Sequence, residues 1–249
     1  MKLLIYALLL IKNSLEETNE ILAGCDTSDK NLQIIAIDKI GAIVGNFEGD
    51  LIADKAKAIE FAKEIEVLSN QFTLLPVRFG SLMVSTEAIL DLLNKNSKEI
   101  QNNLLHVENR YEFGLKVMCD SSALKSSLVE NSGLVVNSSH AKNLENPNSV
   151  YRNWLEDKLK EHRLEELVLN YVDTVIKEIT EAIEILGATA KFKKMVSEKT
   201  IIDAVFLLAK DQKNEMVDTI IQFQKKYINL MFILTGPWPP YNFVELTLK

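Results

Sequence analysis

The run Leu74-Leu75-Pro76-Val77-Arg78-Phe79-Gly80, set between two long helical patterns, limits what this chain can become. Read as an extended segment, its period of two puts Leu75, Val77 and Phe79 on one buried face and Pro76 and Arg78 on the other. Pro76 offers no N–H to a ladder, which confines the strand to a sheet edge or a bulge, and Gly80 permits a sharp exit. Arg78 is either held locally by a carboxylate or presents its charge to a partner or an anion, and the sequence leaves both readings open.

Ahead of this run, Lys2 to Ile11 reads as a buried strand and Ser14 to Ala23 as a short helix closed by Gly24. Gln33 to Ile37 and Ile40 to Phe47 are β-branched segments separated by Asp38-Lys39, the spacing of a tight hairpin. Asp54 suits the N-cap of a helix reaching Asn70, whose Ala58, Phe61, Ala62, Ile65 and Leu68 form one apolar stripe. Beyond Gly80, Ser81 to Val84 continues or re-enters the sheet. Ser85 then caps a further helix with Ile89, Leu93, Ile100, Leu104 and Val107 on one face. These elements make an α+β domain over residues 1–108.

Residues 109–249 carry a second order of elements. An alternating strand spans Tyr111 to Cys119, and a polar segment from Asp120 to Ser149 reads as an insertion. A long helix follows from about Val150 to Leu186, with Val168, Val172, Val175, Ile179, Ala182 and Leu186 as a heptad-like stripe, and Gly187 ends it. That stripe packs on its own domain or serves as a coiled-coil contact. Lys191 to Val196 and Thr200 to Lys210 read as strands, Asp211 to Lys226 as a helix and Ile228 to Thr235 as a last strand. The order βαββαβ is the ferredoxin-like, split-βαβ arrangement, so the fold class is α+β with two closely packed domains.

The tail, residues 236–249, opens with Gly236-Pro237-Trp238-Pro239-Pro240-Tyr241-Asn242-Phe243. Fixed φ at Pro237, Pro239 and Pro240 makes a stiff, polyproline-like arm carrying Trp238, Tyr241 and Phe243, which either packs on its own protein or docks in a groove of a partner.

Charge and motifs exclude several function classes. A net charge of −7 with a single close basic pair, Lys193-Lys194, argues against a nucleic-acid surface, which needs clustered cations. Cys25 and Cys119 are far apart and fit neither a zinc site nor a disulfide framework, and they read as small hydrophobes in a reducing compartment. The apolar run Leu3 to Ile11 is too short for the ~20 residues of a membrane span. It is separated from Leu22-Ala23-Gly24-Cys25 by Lys12, Glu16, Glu17 and Glu20, so an export signal is not expected and a cytoplasmic location is. Gly41, Gly45 and Gly49 fit no phosphate-binding loop, and His106, His140 and His162 have no ligand-type spacing. No cofactor signature is present. Asp203, within a strand pattern, reads as an edge or salt-bridged residue.

Three stretches taken together, Leu75-Pro76-Val77-Arg78-Phe79-Gly80, Glu112-Phe113-Gly114-Leu115-Lys116-Val117 and Leu234 to Phe243, resemble the gas vesicle accessory proteins GvpF and GvpL across nearly the whole chain. The resemblance implies a non-enzymatic accessory protein that binds the hydrophobic shell protein GvpA and assists gas vesicle assembly, with no cofactor. It makes Leu75, Pro76, Val77, Arg78, Phe79 and Gly80, or the adjoining helix faces, the candidate partner-binding surface. Relatives often carry a histidine in the helix before this stretch, whereas Phe61 to Glu64 contains none. The competing reading is a ferredoxin-like binder of a small anion, or an enzyme, that uses Arg78.

Overall fold

The structure is a computed structural model that describes residues 2–29, 31–48, 55–132, 147–193 and 199–246. The expected cap at Asp54, residues 133–146 of the polar insertion, with His140 among them, Lys194 and the last three residues lie outside the described residues. In chain order the elements begin with β1 (Lys2–Leu10), α1 (Leu15–Ala23), β2 (Gln33–Ile37), β3 (Ile40–Phe47), α2 (Lys55–Gln71), β4 (Leu74–Pro76), β5 (Leu82–Met83), α3 (Thr86–Lys95) and α4 (Ser97–Val107). They continue with β6 (Arg110–Cys119), α5 (Ser121–Ser132), α6 (Pro147–Ile185), β7 (Thr189–Phe192), β8 (Thr200–Ala209), α7 (Lys213–Lys226) and β9 (Leu230–Trp238).

The first sheet is antiparallel, ordered β2-β3-β1-β4, with β5 also paired to β1. Its central strand, β1, is buried from Leu3 to Leu9 because helices cover both faces: α2 packs on one side and α3 and α4 on the other. Leu4 and Tyr6 share a core with Phe61, Ile65 and Leu68 of α2, and so do Ala7 and Leu9. The switch from even to odd positions occurs at a bulge between Ile5 and Ala7, which turns the strand over by one residue.

Two-sided cover also corrects the alternation expected at residues 75–79. Leu74, opposite Leu9, joins the α2-side core, and Leu75, opposite Leu8, is 1% exposed on the other side. Both neighbours are buried, as in any strand packed on two faces. The strand then stops at Pro76 and residues 77–80 form a turn, so Val77, Phe79 and Arg78 do not share its pleat.

The single helix expected from Ser85 onward is two. Ser85 caps α3 as expected, its hydroxyl accepting from the Ala88 N–H. Asn96 breaks the run: buried, it turns its Nδ2 back to the Leu92 carbonyl at 2.7 Å, and such local side-chain bonding competes with helix continuation.

The second sheet is ordered β7-β8-β6-β9, and its elements follow the chain order β-α-β-β-α-β with two helices, α5 and α6, in the first crossover. On α6, Val175 and Ile179 of the expected stripe are fully buried and belong to the protein's own core, where Ile183, and not the half-buried Ala182, continues the buried face. Asp203 faces Lys116 at 3.9 Å.

The last strand outruns its expected end at Thr235 and continues through Gly236 and Pro237 to Trp238. Pro237 is tolerated because β9 is a terminal strand of its sheet. Gly236 has φ +114°, and an added Cβ would stand 2.7 Å from the Glu112 carbonyl oxygen, so this close approach of β9 to β6 requires glycine.

The chain divides into two compact units, Met1–Phe113 with Leu207–Asp211 and Thr235–Lys249, and Gly114–Phe206 with Gln212–Leu234. The sequence-based division at 108/109 assigns the tail to the second half. In the structure the tail groups with the first unit, where Glu112 holds it.

Candidate functional site

Residues 74–81 run along one edge of the first sheet, opposite the β2 edge. The Leu10 N–H donates to the Thr73 carbonyl and the Val77 N–H to the Tyr6 carbonyl, which leaves the peptide groups of Leu74 and Pro76 turned to the open side. Pro76 therefore costs the ladder nothing and removes a donor from the exposed edge, which discourages a foreign strand from pairing there. The turn closes when the Ser81 N–H and Oγ both donate to the Arg78 carbonyl, at 3.2 and 2.9 Å, with Gly80 at φ +94°. Ser81 returns its own carbonyl to the Ile5 N–H.

The six candidate residues divide by exposure. Leu75 is core, while Pro76, Val77, Phe79 and Gly80 are half-buried. Arg78 is exposed, and among the described residues no carboxylate pairs with its guanidinium. Phe79 turns inward and meets Phe61 edge-on at 5.3 Å, and Phe61 stacks on Tyr6 at 4.8 Å.

These rings line one wall of a pocket of about 280 Å³ that also receives Asp29, Glu60 and Glu64. Glu64 occupies a core-facing position of α2, three residues after Phe61, and is 4% exposed. Its Oε1 accepts the Ser28 N–H at 2.8 Å, whereas Oε2 has no hydrogen-bond partner. The Tyr6 hydroxyl is pushed up to about 12 by burial first and then by the charges of Asp29, Glu64 and Glu60. Sequence reading passed over Glu64, although a carboxylate on an otherwise apolar stripe is the signal that could have found it.

The second and third landmark stretches meet each other. Buried Glu112 accepts the Asn242 N–H at 2.7 Å and the Asn242 side-chain amide at 2.5 Å. Asn103 clasps the next turn of chain, donating to the Glu245 carbonyl and accepting the Glu245 N–H. Pro239, Pro240 and Phe243 are buried, Pro237 is half-buried, and Trp238 and Tyr241 are partly exposed. Leu74, Tyr111, Pro239 and Pro240 line a single crevice, so residues that immediately precede the first two stretches meet residues of the third within the first unit.

A second concave site, of about 390 Å³, contains Lys12 and Lys210 but not Arg78. Both amines are engaged. Lys12 pairs with Glu108 at 2.6 Å, and Lys210 donates to the Ser69 carbonyl at 3.0 Å while lying 4.5 Å from the centre of the Tyr111 ring. Burial, and then Lys12, lowers the Lys210 pKa.

Among the described residues, no group of three or more His, Cys, Asp or Glu side chains is placed to hold a metal ion. His106 and His162 are exposed, the latter 3.7 Å from Glu166. Burial and Asp120 raise the Cys119 thiol pKa, the opposite of what a nucleophile needs. No helix among the described residues is long and apolar enough to cross a membrane.

Comparison with known proteins gives one consistent relationship. The family model described as "Gas vesicle synthesis protein GvpL/GvpF" matches residues 3–245. Gas vesicle protein L1 of Halobacterium salinarum (strain ATCC 700922 / JCM 11081 / NRC-1) is 20% identical, the match covering 89% of this chain and 84% of that protein. Gas vesicle protein F of Streptomyces sp. (strain CB03234) is 23% identical over 91% of this chain and 93% of its own length. The crystal structure of gas vesicle protein GvpF from Anabaena sp. PCC7120 superposes with a TM-score of 0.72 at 18% identity, over 99% of this chain and 97% of that one. That of GvpF from Microcystis aeruginosa gives 0.73 at 16% identity, over 98% and 99%.

Proposed function

The chain belongs to the gas vesicle synthesis protein GvpL/GvpF family, and on that premise we propose that it is a non-enzymatic accessory protein that binds the hydrophobic shell protein GvpA during gas vesicle assembly. A shell subunit exposes apolar surface before it polymerises, and an acidic, charged partner that covers this surface limits aggregation. We place the contact at the turn carrying Val77, Arg78 and Phe79 and at the adjoining surface, where Val84 is 77% exposed.

One observation carries this reading: Arg78 stands on a rigid turn, exposed and without a carboxylate, and lines neither of the concave sites described above. A guanidinium displayed in this way suits a rim contact with a macromolecule. It does not suit the small-anion reading, because a lone exposed charge in water holds a small anion weakly and salt screens it.

Co-expression with tagged GvpA tests the proposal. The full chain should co-purify with GvpA, and Arg78→Ala, while retaining its melting temperature, should recover substantially less. Absence of GvpA from wild-type pull-downs refutes the binding role. Undiminished recovery with Arg78→Ala refutes the placement at this turn.

A further inference from the structure

The two edges of the first sheet are built differently. The β4 edge carries Pro76 and gives way to a turn after three residues. At the opposite edge β2 has five residues, Gln33-Ile34-Ile35-Ala36-Ile37, with no proline, no charge and an unbroken register on β3. Proline, charge and bulges keep a free edge from pairing, and β2 uses none of them. Register fixes which of its peptide groups face out. The two-residue turn at Asp38-Lys39 makes Ile37 and Ile40 a hydrogen-bonded pair, so Ile35 and Gln33 also bond to β3, and Ile34 and Ala36 turn their N–H and C=O groups away from it. Among the described residues nothing bonds to these outward groups.

A strand that completes this edge must carry apolar side chains on both faces, because Ile34 and Ala36 pack on the α2 side and Ile35 is buried on the α3 side. A charged segment gains nothing at an edge without charge. A second copy of β2 matches it residue by residue. In an antiparallel pair centred on Ile35, Ile34 of each copy faces Ala36 of the other, and the two exchange the hydrogen bonds that their outward groups lack. Large Ile34 then meets small Ala36 on one face, and Ile35 meets Ile35 on the other. With a net charge of −7, two copies repel over much of their surface, and this edge lets them approach without adding to that repulsion. The same register sets Asp38 opposite Leu32 and Lys39 opposite Asn31, so no like charges stand directly across the pair.

We propose that β2 is a self-association edge, through which two copies of this chain pair antiparallel about Ile35 and join their first sheets into one. Five residues a side fall well short of the about 20–30 a side of a stable complex, so the dimer forms at high protein concentration and parts on dilution. This inference goes beyond the shell-protein reading and does not rest on it.

Sedimentation equilibrium and amide hydrogen exchange on the full chain, between about 10 μM and about 1 mM, test the pairing. The dimer fraction should rise with concentration, and exchange at the Ile34 and Ala36 amides should slow with it. The Ile35 amide, already bonded to β3, should not respond. Asn31 and Lys39 are exposed, so their charges can be changed without disturbing the core. Asn31→Lys sets two lysines opposite each other at both ends of the pair and should weaken the dimer by about threefold or more, whereas Asn31→Asp, opposite Lys39, should strengthen it by a similar factor. Net charge alone predicts the reverse order, so the sign tests the register. Any one of three results overturns the proposal: a chain that stays monomeric at about 1 mM, a dimer whose Ile34 and Ala36 amides exchange as fast as in the monomer, or Asn31 variants that do not shift the dimer in these opposite directions.

Discussion

Two glycines with positive φ separate the cost of backbone strain from the cost of crowding. Gly187, after the end of α6, has φ +74° and open space where a Cβ would be, whereas Gly236 has φ +114° and meets backbone on two sides. For Gly187→Ala the penalty is the left-handed conformation alone, about 1 kcal/mol. For Gly236→Ala the φ lies outside the left-handed helical region, which costs about 1–3 kcal/mol. The new methyl would also stand 2.7 Å from the Glu112 carbonyl oxygen and 3.3 Å from the Phe113 Cα. Neither atom belongs to a flexible side-chain end, so β9 must move off β6, adding about 1–3 kcal/mol of overpacking. The sum is about 4 kcal/mol, a fall in melting temperature of about 10 °C for a chain of this size. Urea unfolding followed by far-ultraviolet circular dichroism measures both variants against the wild type. If Gly236→Ala costs no more than Gly187→Ala, the close approach of the two strands is not what fixes glycine at 236.

Three further outcomes are expected. Glu112→Ala removes the acceptor of two charge-assisted hydrogen bonds from Asn242, and should destabilise the protein by about 2–3 kcal/mol and speed hydrogen exchange at the Asn242 amide. Unchanged exchange at that amide refutes the anchoring role. Glu64→Gln keeps an acceptor for the Ser28 N–H while removing a buried charge beside Asp29 and Glu60, and should raise stability by about 1 kcal/mol or more, seen as a higher urea midpoint. For Tyr6, the folded pKa of about 12 lies above the unfolded value near 10. Its contribution is therefore fully present below about pH 10 and is lost as pH rises through about 12. Burial also pushes Tyr241 up to about 12, so ultraviolet titration of phenolate should lose one of two such late-titrating groups in Tyr6→Phe, and the same variant should flatten the alkaline fall in stability.

The chain is a member of the gas vesicle synthesis protein GvpL/GvpF family. The charged groups with notable surroundings each meet a different fate. Arg78 is displayed, Glu112 is spent on holding the C-terminal arm, Lys12 and Lys210 are engaged, and among the described residues Glu64 alone keeps a buried side-chain oxygen without a hydrogen bond.

Much of the fold could be read in the residues because it rests on local periodicity. The 3.6-residue stripe of Phe61, Ile65 and Leu68, the cap at Ser85, the hairpin around Asp38-Lys39 and the edge position forced by Pro76 are all consequences of neighbours along the chain. The sequence also carried the three landmark stretches by which the family is recognised. Tertiary structure alone decided the rest. Leu74 and Leu75 are both buried because helices cover both faces of the sheet, and cover on the far face leaves no period-2 signature. The bulge at Ile5/Ala7 changes which side of β1 meets α2, and Asn96 splits a helix whose apolar stripe is unbroken. The link between Glu112 and Asn242 spans 130 residues, and the pocket joins Tyr6, Asp29, Glu64 and Phe79 from four separate parts of the chain. A pattern along one element records whether a residue is buried; which distant residues share its wall is set by strand order and chain closure, and so appears only in three dimensions.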